Sequence, residues 1–306
     1  MDWSPQGVIS RLARLKRPRV WRGGEVGSKA RIVIRGLMEN LKYELIPLKN
    51  ALDQAAFLPE GAMVSVTASP NKGMGATIDL SIELAQRGFE VMPHLSARLT
   101  TGRAELEAYL TRLDAHGIWR ALVVGGDSDL AGEFADGLAL LEAIDEIGSS
   151  LTEIGVPSYP EGHPLISDDK LALALRAKEP YAACMTTQMC FNPRTICRWI
   201  DAQRKGGVAL PVYLGIPGVA ELSHLIAISM KIGVGQSARF LSKNTRLLGK
   251  FMRPGGYSPE RLILGLSDTL ADPAANVRGF HVYTFNRVET TERWRKEFLE
   301  NLGDEA

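Results

Sequence analysis

Apolar residues recur along this chain in two alternating patterns. Eight short apolar runs, each the length of a strand, centre near positions 45, 66, 92, 123, 155, 185, 212 and 282. The stretches between them carry apolar residues at three- and four-residue spacing, which predicts helices over 78–88, 104–117, 134–148, 169–179, 193–207, 220–233 and 290–303. Asn192 before Pro193 predicts a capped helix start.

Strict alternation of strands and helices predicts a parallel sheet with helical crossovers. Eight such units over ~250 residues have the size of a closed (β/α)8 TIM barrel, which we expect over residues 41–306. An open doubly wound sheet is the alternative, but the stretch 71–77 (NKGMGAT) lacks the GxGxxG spacing of a dinucleotide-binding turn. The stretch 234–275 is longer than one helix needs, so we expect extra helices between strands 7 and 8, with 252–259 as a loop.

The charge of the chain is balanced overall and uneven along its length. A net charge of +1 gives no general reason to expect a nucleic acid or an acidic membrane as partner. No apolar run approaches the ~18 residues of a membrane span. Residues 1–42 nevertheless hold ten Lys or Arg against three acids, a net +7. We expect residues 1–40 to form a basic arm or helix, solvated and partly flexible, with a subunit contact or a gate over the site as alternatives.

The three cysteines, Cys184, Cys190 and Cys197, form no CxxC pair. An odd number without such a pair argues against a disulfide framework and against a structural zinc site. We therefore expect buried free thiols in a reducing, cytoplasmic setting.

Polar residues stand near the carboxyl ends of most strand-like runs. They are Glu44, Thr67, His94, Asp127, Tyr159, Glu161, His163, Gln188, Tyr283 and Arg287. A buried strand has no structural need of such residues. Polar groups at the carboxyl ends of successive parallel strands are how a β/α barrel builds an active site. The sequence therefore predicts one site at that end of the barrel.

Glu44 is the first candidate for catalysis. In a pleated strand Lys42, Glu44 and Ile46 share one face. A carboxylate near the carboxyl end of a barrel strand is desolvated, which raises its pKa and favours the protonated acid. Such a group suits general acid catalysis at neutral pH. The alternative is a structural ion pair with Lys42, Lys49 or Arg287.

Asp127 and Gln188 are further candidates. Asp127 follows two glycines and could stabilise a cation or orient a ligand N–H, or it could cap the following turn. Gln188 offers a donor and an acceptor that suit a heterocycle with an amide-like edge, or it could bond to neighbouring backbone. His94 and His163 are weak signals alone. No HxH or HExxH pattern supports a metal, and no GxSxG pattern supports a nucleophilic serine.

Seven segments together resemble the methylenetetrahydrofolate reductase family, the flavin-dependent barrel enzymes of one-carbon metabolism. The segments are KYELIPLK, VSVTASP, PHL, GGD, YPEGHP, TTQ and FHVYTFNR, in the family's order, between about residues 40 and 300. The resemblance implies FAD as cofactor, NADH or NADPH as electron donor, and methylenetetrahydrofolate as substrate. We further expect an enzyme without nucleic-acid or membrane partners, and a homo-oligomer.

The resemblance also implies roles for individual residues. Three residues match catalytic positions: Glu44, Asp127 and Gln188. Of these, Glu44 matches the general acid that opens the folate ring. Those matching flavin contacts are Thr67, His94, Gly126, Asp127, Ala135, Tyr159, His163 and Lys178. Those matching substrate contacts are Glu44, Gln188, Tyr283 and Arg287.

The chain also departs from the family pattern. Gly125 stands where the family usually has an Arg beside the flavin, and Leu222 is the nearest match to an aromatic that stacks on the ligand. Two alternatives therefore stay open. One is a reductase in which the pyridine nucleotide acts directly, without flavin. The other is a non-catalytic or methyltransferase-linked folate-binding barrel.

Overall fold

A computed structural model describes residues 26–126, 132–221, 225, 252–253 and 256–302. Its centre is a closed barrel of eight parallel strands in the order β1-β8-β7-β6-β5-β4-β3-β2. These strands are β1 Lys42–Leu45, β2 Met63–Val66, β3 Glu90–Ser96, β4 Arg120–Val124, β5 Glu153–Ser158, β6 Cys184–Thr187, β7 Val212–Pro217 and β8 Val277–Tyr283. The structure confirms the predicted (β/α)8 barrel, with each strand where an apolar run predicts it.

Helices follow the strands around the outside of the barrel. They are α1 Ser28–Glu39, α2 Ala51–Ala55, α3 Gly73–Gln86, α4 Arg103–Asp114, α5 Gly137–Ile147, α6 Asp168–Lys178, α7 Pro193–Lys205, α8 Glu260–Gly265, α9 Ser267–Leu270 and α10 Val288–Asn301. Asn192 caps α7 as predicted, because its side-chain oxygen accepts from the Arg194 N–H at 3.0 Å. The predicted helix 220–233 falls almost wholly outside the described residues.

The connection between β7 and β8 contains the expected extra helices, α8 and α9. The predicted loop at 252–259 is in part a small antiparallel hairpin, in which 252–253 pairs with 256–257. A two-residue strand is too short to leave a periodic signal in the sequence.

The two faces of the barrel strands differ in chemistry. Outward-facing side chains are apolar and join the core between sheet and helices, including Leu45, Val66, Leu95, Val123 and Phe280. The inward faces carry a row of polar groups instead. They include Lys42, Glu44, Ser65, Glu153, Thr186 and His281, all buried. A strand of a parallel barrel is usually apolar on both faces, so a polar interior indicates chemistry inside the barrel.

Interior glycines make room for tyrosine rings. A Cβ added at Gly215 would lie 2.9 Å from the Tyr283 ring, and one added at Gly279 would lie 2.9 Å from the Tyr213 ring. Each ring thus lies against the bare backbone of the neighbouring strand. Small residues at these two positions allow two large polar side chains to share a narrow barrel.

The helix α1 belongs to the same hydrophobic core as the barrel. Its Ile34 and Met38 are completely buried, and the helix packs against α9 and β8. Arg295 of α10 donates to the Met38 carbonyl at 3.3 Å, which ties α1 to the final helix. Residues 1–25 of the basic arm lie outside the described residues, and the domain boundary near residue 40 stays a prediction. Among the described residues, no helix has both the length and the apolar character needed to cross a membrane.

Candidate active site

Glu44 lies inside the barrel near the carboxyl end of β1. Its side chain is buried, with 7% of the residue exposed. Its Oε2 lies 3.1 Å from His281 Nε2 on the adjacent strand β8. Burial raises the pKa of the Glu44 carboxyl to about 7, against a smaller lowering effect of His94. Near neutral pH a large fraction of Glu44 is therefore a protonated acid, as general acid catalysis requires.

Two histidines flank this acid. His281 is almost fully buried, and His94 Nε2 lies 2.7 Å from Ser65 Oγ on β2. Burial lowers the pKa of His281 to about 3 and that of His94 to about 4, with the charge of Lys42 adding to both effects. Both imidazoles are neutral at physiological pH, so the contact between Glu44 and His281 is a neutral hydrogen bond and not an ion pair.

Ligand atoms of Glu44, His94 and His281 all lie within 4.8 Å of one another. Two imidazoles and a carboxylate are a set that transition metals accept. Each imidazole Nε2 already has a hydrogen-bond partner, however, and the buried ammonium of Lys42 repels a second cation. We therefore do not assign these residues as metal ligands.

Lys42 is fully buried on the same inner face of β1. Its Nζ lies 3.2 Å from Met92 Sδ and 3.6 Å from the centre of the Tyr213 ring. Burial lowers the pKa of this ammonium to about 8. Among the described residues, neither Lys42 nor Lys49 nor Arg287 forms an ion pair with Glu44. The structural ion pair that the sequence left open is therefore not formed.

The amino end of the barrel holds a separate charged cluster. Arg120 Nε lies 3.3 Å from Glu153 Oε2, and a second nitrogen of Arg120 contacts Glu90. Arg278 Nη2 lies 3.8 Å from the same Glu153 oxygen. These charges neutralise one another, so the cluster at this end of the barrel has the features of a structural ion-pair network.

Tyr283 is the neighbour of Glu44 in strand register, and Gln188 follows β6 at the same end of the barrel. The Tyr283 hydroxyl donates to the Thr187 carbonyl at 3.1 Å, and its ring meets the edge of His281 at 4.9 Å between centroids. Burial raises the pKa of Tyr283 well above its usual value, so the phenol stays neutral. Gln188 Oε1 accepts from the Met189 N–H at 2.9 Å. The backbone contact that the sequence left open is thus formed, and the amide NH2 of Gln188 remains as a donor for a ligand.

Arg287 lies at the rim, in the turn that follows β8. Its Nη2 is 3.7 Å from Glu221 Oε1, and both side chains are exposed. The same turn places Phe285 and Asn286 at a φ of 53°. Asn286 accepts from the Ile46 N–H at 2.8 Å and donates to the Ile46 carbonyl at 2.9 Å. The turn after β8 thereby clamps the loop after Glu44, a role that the sequence did not predict.

The other expected cofactor contacts are spread over the ends of β2, β3 and β5. The Thr67 side chain is half-buried after β2, and the Thr67 carbonyl accepts from Thr77 Oγ1. The rings of Tyr159 and His163 meet edge to face at 5.3 Å, and His163 Nδ1 accepts from the Leu165 N–H. Tyr159 and His163 thus form one unit in the loop after β5, whereas His94 lies deeper, against Ser65.

The remaining positions cluster around the start of α5. Gly126 has a φ of +90°, which favours glycine. Ala135 is exposed, and the Lys178 ammonium lies 3.6 Å from where a Gly137 side chain would begin. Burial lowers the pKa of Lys178, against the opposing effect of Asp136. Asp127 lies outside the described residues, so its predicted role stays a prediction.

These residues fit the phosphate end of a dinucleotide poorly. The Asp136 carboxylate already accepts the Leu138 and Ala139 N–H groups at the start of α5, where a phosphate would otherwise bind. A neighbouring cavity of about 640 Å³ lies between α6 and α7 and is lined by Tyr159 and Lys178, but also by Asp168 and Asp169. Lys178 thus lies under the influence of Asp136, and Gly125 supplies no charge.

Sequence reasoning missed His281, Lys42 as a site residue, and Ser65. His281 lies two residues before Tyr283, and residues two apart on a strand face the same side. This spacing could have identified His281 as a site residue. The same rule links Lys42 to Glu44. The contacts themselves depend on closure of the barrel, which pairs Lys42 with His281 and Glu44 with Tyr283 across strands β1 and β8.

A closed barrel of eight parallel strands with buried polar side chains on its inner face defines a protein of the TIM-barrel class. The family model described as methylenetetrahydrofolate reductase matches residues 48–302. The chain therefore belongs to the methylenetetrahydrofolate reductase family, a family of oxidoreductases. Glu44 lies four residues before the matched range, so its role depends on the site geometry and the resemblance of its strand.

Two solved structures show a distant similarity. One is the apo form of a putative deoxyribose-phosphate aldolase from Toxoplasma gondii ME49, with 11% identity, coverage of 90% of this chain and 99% of that chain, and a TM-score of 0.45. The other is 2,3-dimethylmalate lyase, a member of the PEP mutase/isocitrate lyase superfamily, with 11% identity, coverage of 79% and 96%, and a TM-score of 0.42. Likeness at this level says nothing about the activity of this chain.

Proposed function

We propose that this protein reduces 5,10-methylenetetrahydrofolate to 5-methyltetrahydrofolate at the carboxyl end of its barrel, with Glu44 as the general acid. The observation that carries the proposal is the state of Glu44. It is a buried carboxyl with a raised pKa, hydrogen-bonded to a neutral imidazole and without a cationic partner among the described residues. A structural carboxylate would be paired, as Glu153 is.

The chemistry of the substrate requires such an acid. The one-carbon unit bridges two folate nitrogens in a five-membered ring. Protonation of one nitrogen breaks its bond to the bridging carbon and leaves an iminium cation, which accepts a hydride. Glu44 supplies the proton and becomes a carboxylate close to the new cation. Charge is then stabilised where it develops, in a site with little water. Asp127 remains a proposed second carboxylate for this cation.

Gln188 and Tyr283 are proposed to hold the folate ring. With its Oε1 engaged by Met189, Gln188 presents N–H donors to a ring acceptor. Tyr283 adds an aromatic surface fixed by its bonded hydroxyl. Arg287 at the rim is placed to meet the carboxylates of the folate tail, in competition with Glu221. Positioning of this kind contributes to rate by aligning the reacting carbon.

A reduced flavin, or a reduced nicotinamide acting directly, supplies the hydride when bound. The family resemblance favours FAD recharged by NADH or NADPH. The Asp136-capped start of α5, the effect of Asp136 on Lys178 and the absence of a charge at Gly125 favour the second candidate, a reductase that takes the hydride directly from the pyridine nucleotide. Both candidates assign the same proton donor to the folate.

The experiment combines product analysis with spectroscopy. The purified protein is incubated with methylenetetrahydrofolate and NADH or NADPH, with and without added FAD, and methyltetrahydrofolate is measured by chromatography. We expect product, and we expect Glu44→Gln to lose most of it while the control Glu153→Gln keeps it. A bound flavin would absorb near ~450 nm. Product without flavin identifies direct transfer, whereas no product with either donor under any condition contradicts the proposal.

A further inference from the structure

The buried ammonium of Lys42 has no part in the steps above. It lies on the inner face of β1, two residues before Glu44, and is completely inaccessible to solvent. Met92 Sδ and the face of the Tyr213 ring are its nearest partners. No described carboxylate lies within ion-pair distance of its Nζ. Burial of a cation without a carboxylate partner costs folding free energy. Lys42 is therefore a candidate for a functional role.

Its surroundings place it between two layers of the barrel. Towards the amino end, the charged or titratable groups that face it are Arg120, Glu153, Cys184, Tyr213 and Arg278. Glu153, together with Glu90, neutralises the charges of Arg120 and Arg278. Towards the carboxyl end lie His281, its neighbour in strand register, and His94. Glu44 is one step further along the same face.

The proton that Glu44 must deliver has two places to reside. It can stay on Glu44, with His281 neutral, or it can move to His281 and leave a carboxylate beside an imidazolium. Only the first state has a proton on an oxygen that the folate can reach. A carboxyl and an imidazole in water favour the second state, because the ordinary pKa of histidine is about two units the higher.

The unpartnered second nitrogen of His281 favours the first state. Its Nδ1 is buried and has no hydrogen-bond partner among the described residues. A neutral ring with its hydrogen on Nε2 donates to Glu44 Oε2 and leaves Nδ1 as a bare acceptor. An imidazolium would instead bury an N–H donor at Nδ1 without a partner, which is expensive.

We propose that Lys42 is a positioning residue for the reaction, whose buried charge beneath His281 and His94 keeps the shared proton on Glu44. This inference rests on the proposed role of Glu44 and extends it to a residue that never touches the substrate. The cation repels a charge on either imidazole, consistent with its contribution to the lowered pKa of both. When Glu44 gives its proton to the folate nitrogen, the carboxylate left behind accepts from His281 Nε2–H, and no other proton moves.

The test follows the histidines directly. The chain has five histidines, so ¹⁵N-histidine labelling yields few imidazole signals, and His281→Gln assigns the one of interest. In the unaltered protein we expect the His281 signal to stay that of a neutral Nε2–H tautomer from pH 8 down to 5. An imidazolium signal for His281 near pH 6.5 overturns the proposal, with no variant required and whether or not the reductase activity is found.

Variants then isolate the charge. Lys42→Met keeps length and packing but removes the ammonium, and we expect it to raise the apparent pKa of His281 by about one unit or more. Folate reduction should fall only to the extent that the ¹⁵N signals show the proton moved from Glu44 to His281. Lys42→Arg should restore both. Loss of activity in Lys42→Met with an unchanged His281 titration would mean that Lys42 serves packing alone, and would overturn the proposal.

Discussion

Two glutamates on the inner face of the barrel show how position changes the chemistry of one side chain. Glu153 near the amino end and Glu44 near the carboxyl end are equally buried, at 8% and 7% exposure. Glu153 faces two guanidinium groups, Arg120 and Arg278, whereas Glu44 faces a neutral imidazole. Glu153 thus belongs to an ion-pair cluster, whereas burial raises the pKa of Glu44 to about 7.

The difference lies in which charges each layer contains. At the amino end every described cation that contacts Glu153 belongs to a paired cluster. At the carboxyl end burial keeps the pKa of Glu44 near 7 and keeps both histidines neutral. Burial is common to both ends, and the partner decides whether the buried carboxyl is charged.

The largest expected effect is on activity. Glu44→Gln keeps the hydrogen-bond contact with His281 and removes the acid, so folate reduction should fall by ~10²–10⁴-fold. Glu153→Gln is the matched control and should keep most of its turnover per folded molecule. Initial rates of methyltetrahydrofolate formation decide the matter. Equal losses of activity in the two variants would contradict the different roles assigned to Glu44 and Glu153.

The next effect is on the pH dependence of stability. The pKa of Glu44 is about 7 in the folded state and 4.5 when unperturbed, so the folded state binds the extra proton in this window. Stability therefore falls as pH rises from 4.5 to 7, by roughly 3 kcal/mol in full. Glu44→Gln lacks this term, so its stability relative to the unaltered protein should increase over that window. Urea denaturation at several pH values measures the difference in stability between the variant and the unaltered protein. Both proteins contain the buried histidines, so the opposite contribution of these histidines below pH 6.5 cancels in the difference.

Glu153→Gln should have a smaller effect, and on stability alone. Arg120 loses its bond to Glu153 but keeps Glu90. We expect a loss of about 1.5–3 kcal/mol, the usual value of a hydrogen bond to a charged group. Denaturant titration of the variant and the unaltered protein measures the loss. An unchanged free energy of unfolding would contradict the stabilising role of Glu153.

Gln188→Leu should weaken folate binding modestly. Because Gln188 Oε1 is occupied by the Met189 N–H, the side chain offers a ligand its donors only. The expected cost is about 1 kcal/mol, that of one neutral hydrogen bond. Titration of folate onto the variant, with Thr195→Val on α7 as a control, measures it. A loss above tenfold would mean that the Met189 contact is exchanged for two bonds to the ligand.

The smallest expected effect concerns Gly125. An added Cβ at Gly125 would have only the Gly137 nitrogen nearby, at 3.9 Å, so a side chain can be accommodated there. Gly125→Arg should strengthen FAD binding by up to about fivefold, the size of an exposed charge pair of ~1 kcal/mol. Gly126→Ala is the contrast, because its added Cβ would lie 2.2 Å from Ser96 Oγ at a φ of +90°. Equilibrium dialysis with FAD measures both, and weaker binding by Gly125→Arg would remove the basis for this prediction.

The sequence by itself determines the architecture and the position of the acid. Eight apolar runs separated by amphipathic stretches leave few ways to bury both kinds of surface other than a β/α barrel, and the structure confirms each strand. Glu44 could be singled out because a charged residue on a buried strand must either be paired or act. Both inferences use local spacing, which the sequence records directly.

Only the tertiary structure decides whether Glu44 forms an ion pair or stays available as an acid. Glu44 and His281 are 237 residues apart, and barrel closure between β1 and β8 brings them to 3.1 Å. The same closure places Lys42 beside His281, whereas the pairing of β4 with β5 places Arg120 beside Glu153. Gln188 likewise turned to the backbone of Met189 through the local shape of its loop. The ionisation of a buried group depends on its neighbours in space, and those neighbours lie on strands that the sequence does not order around the barrel.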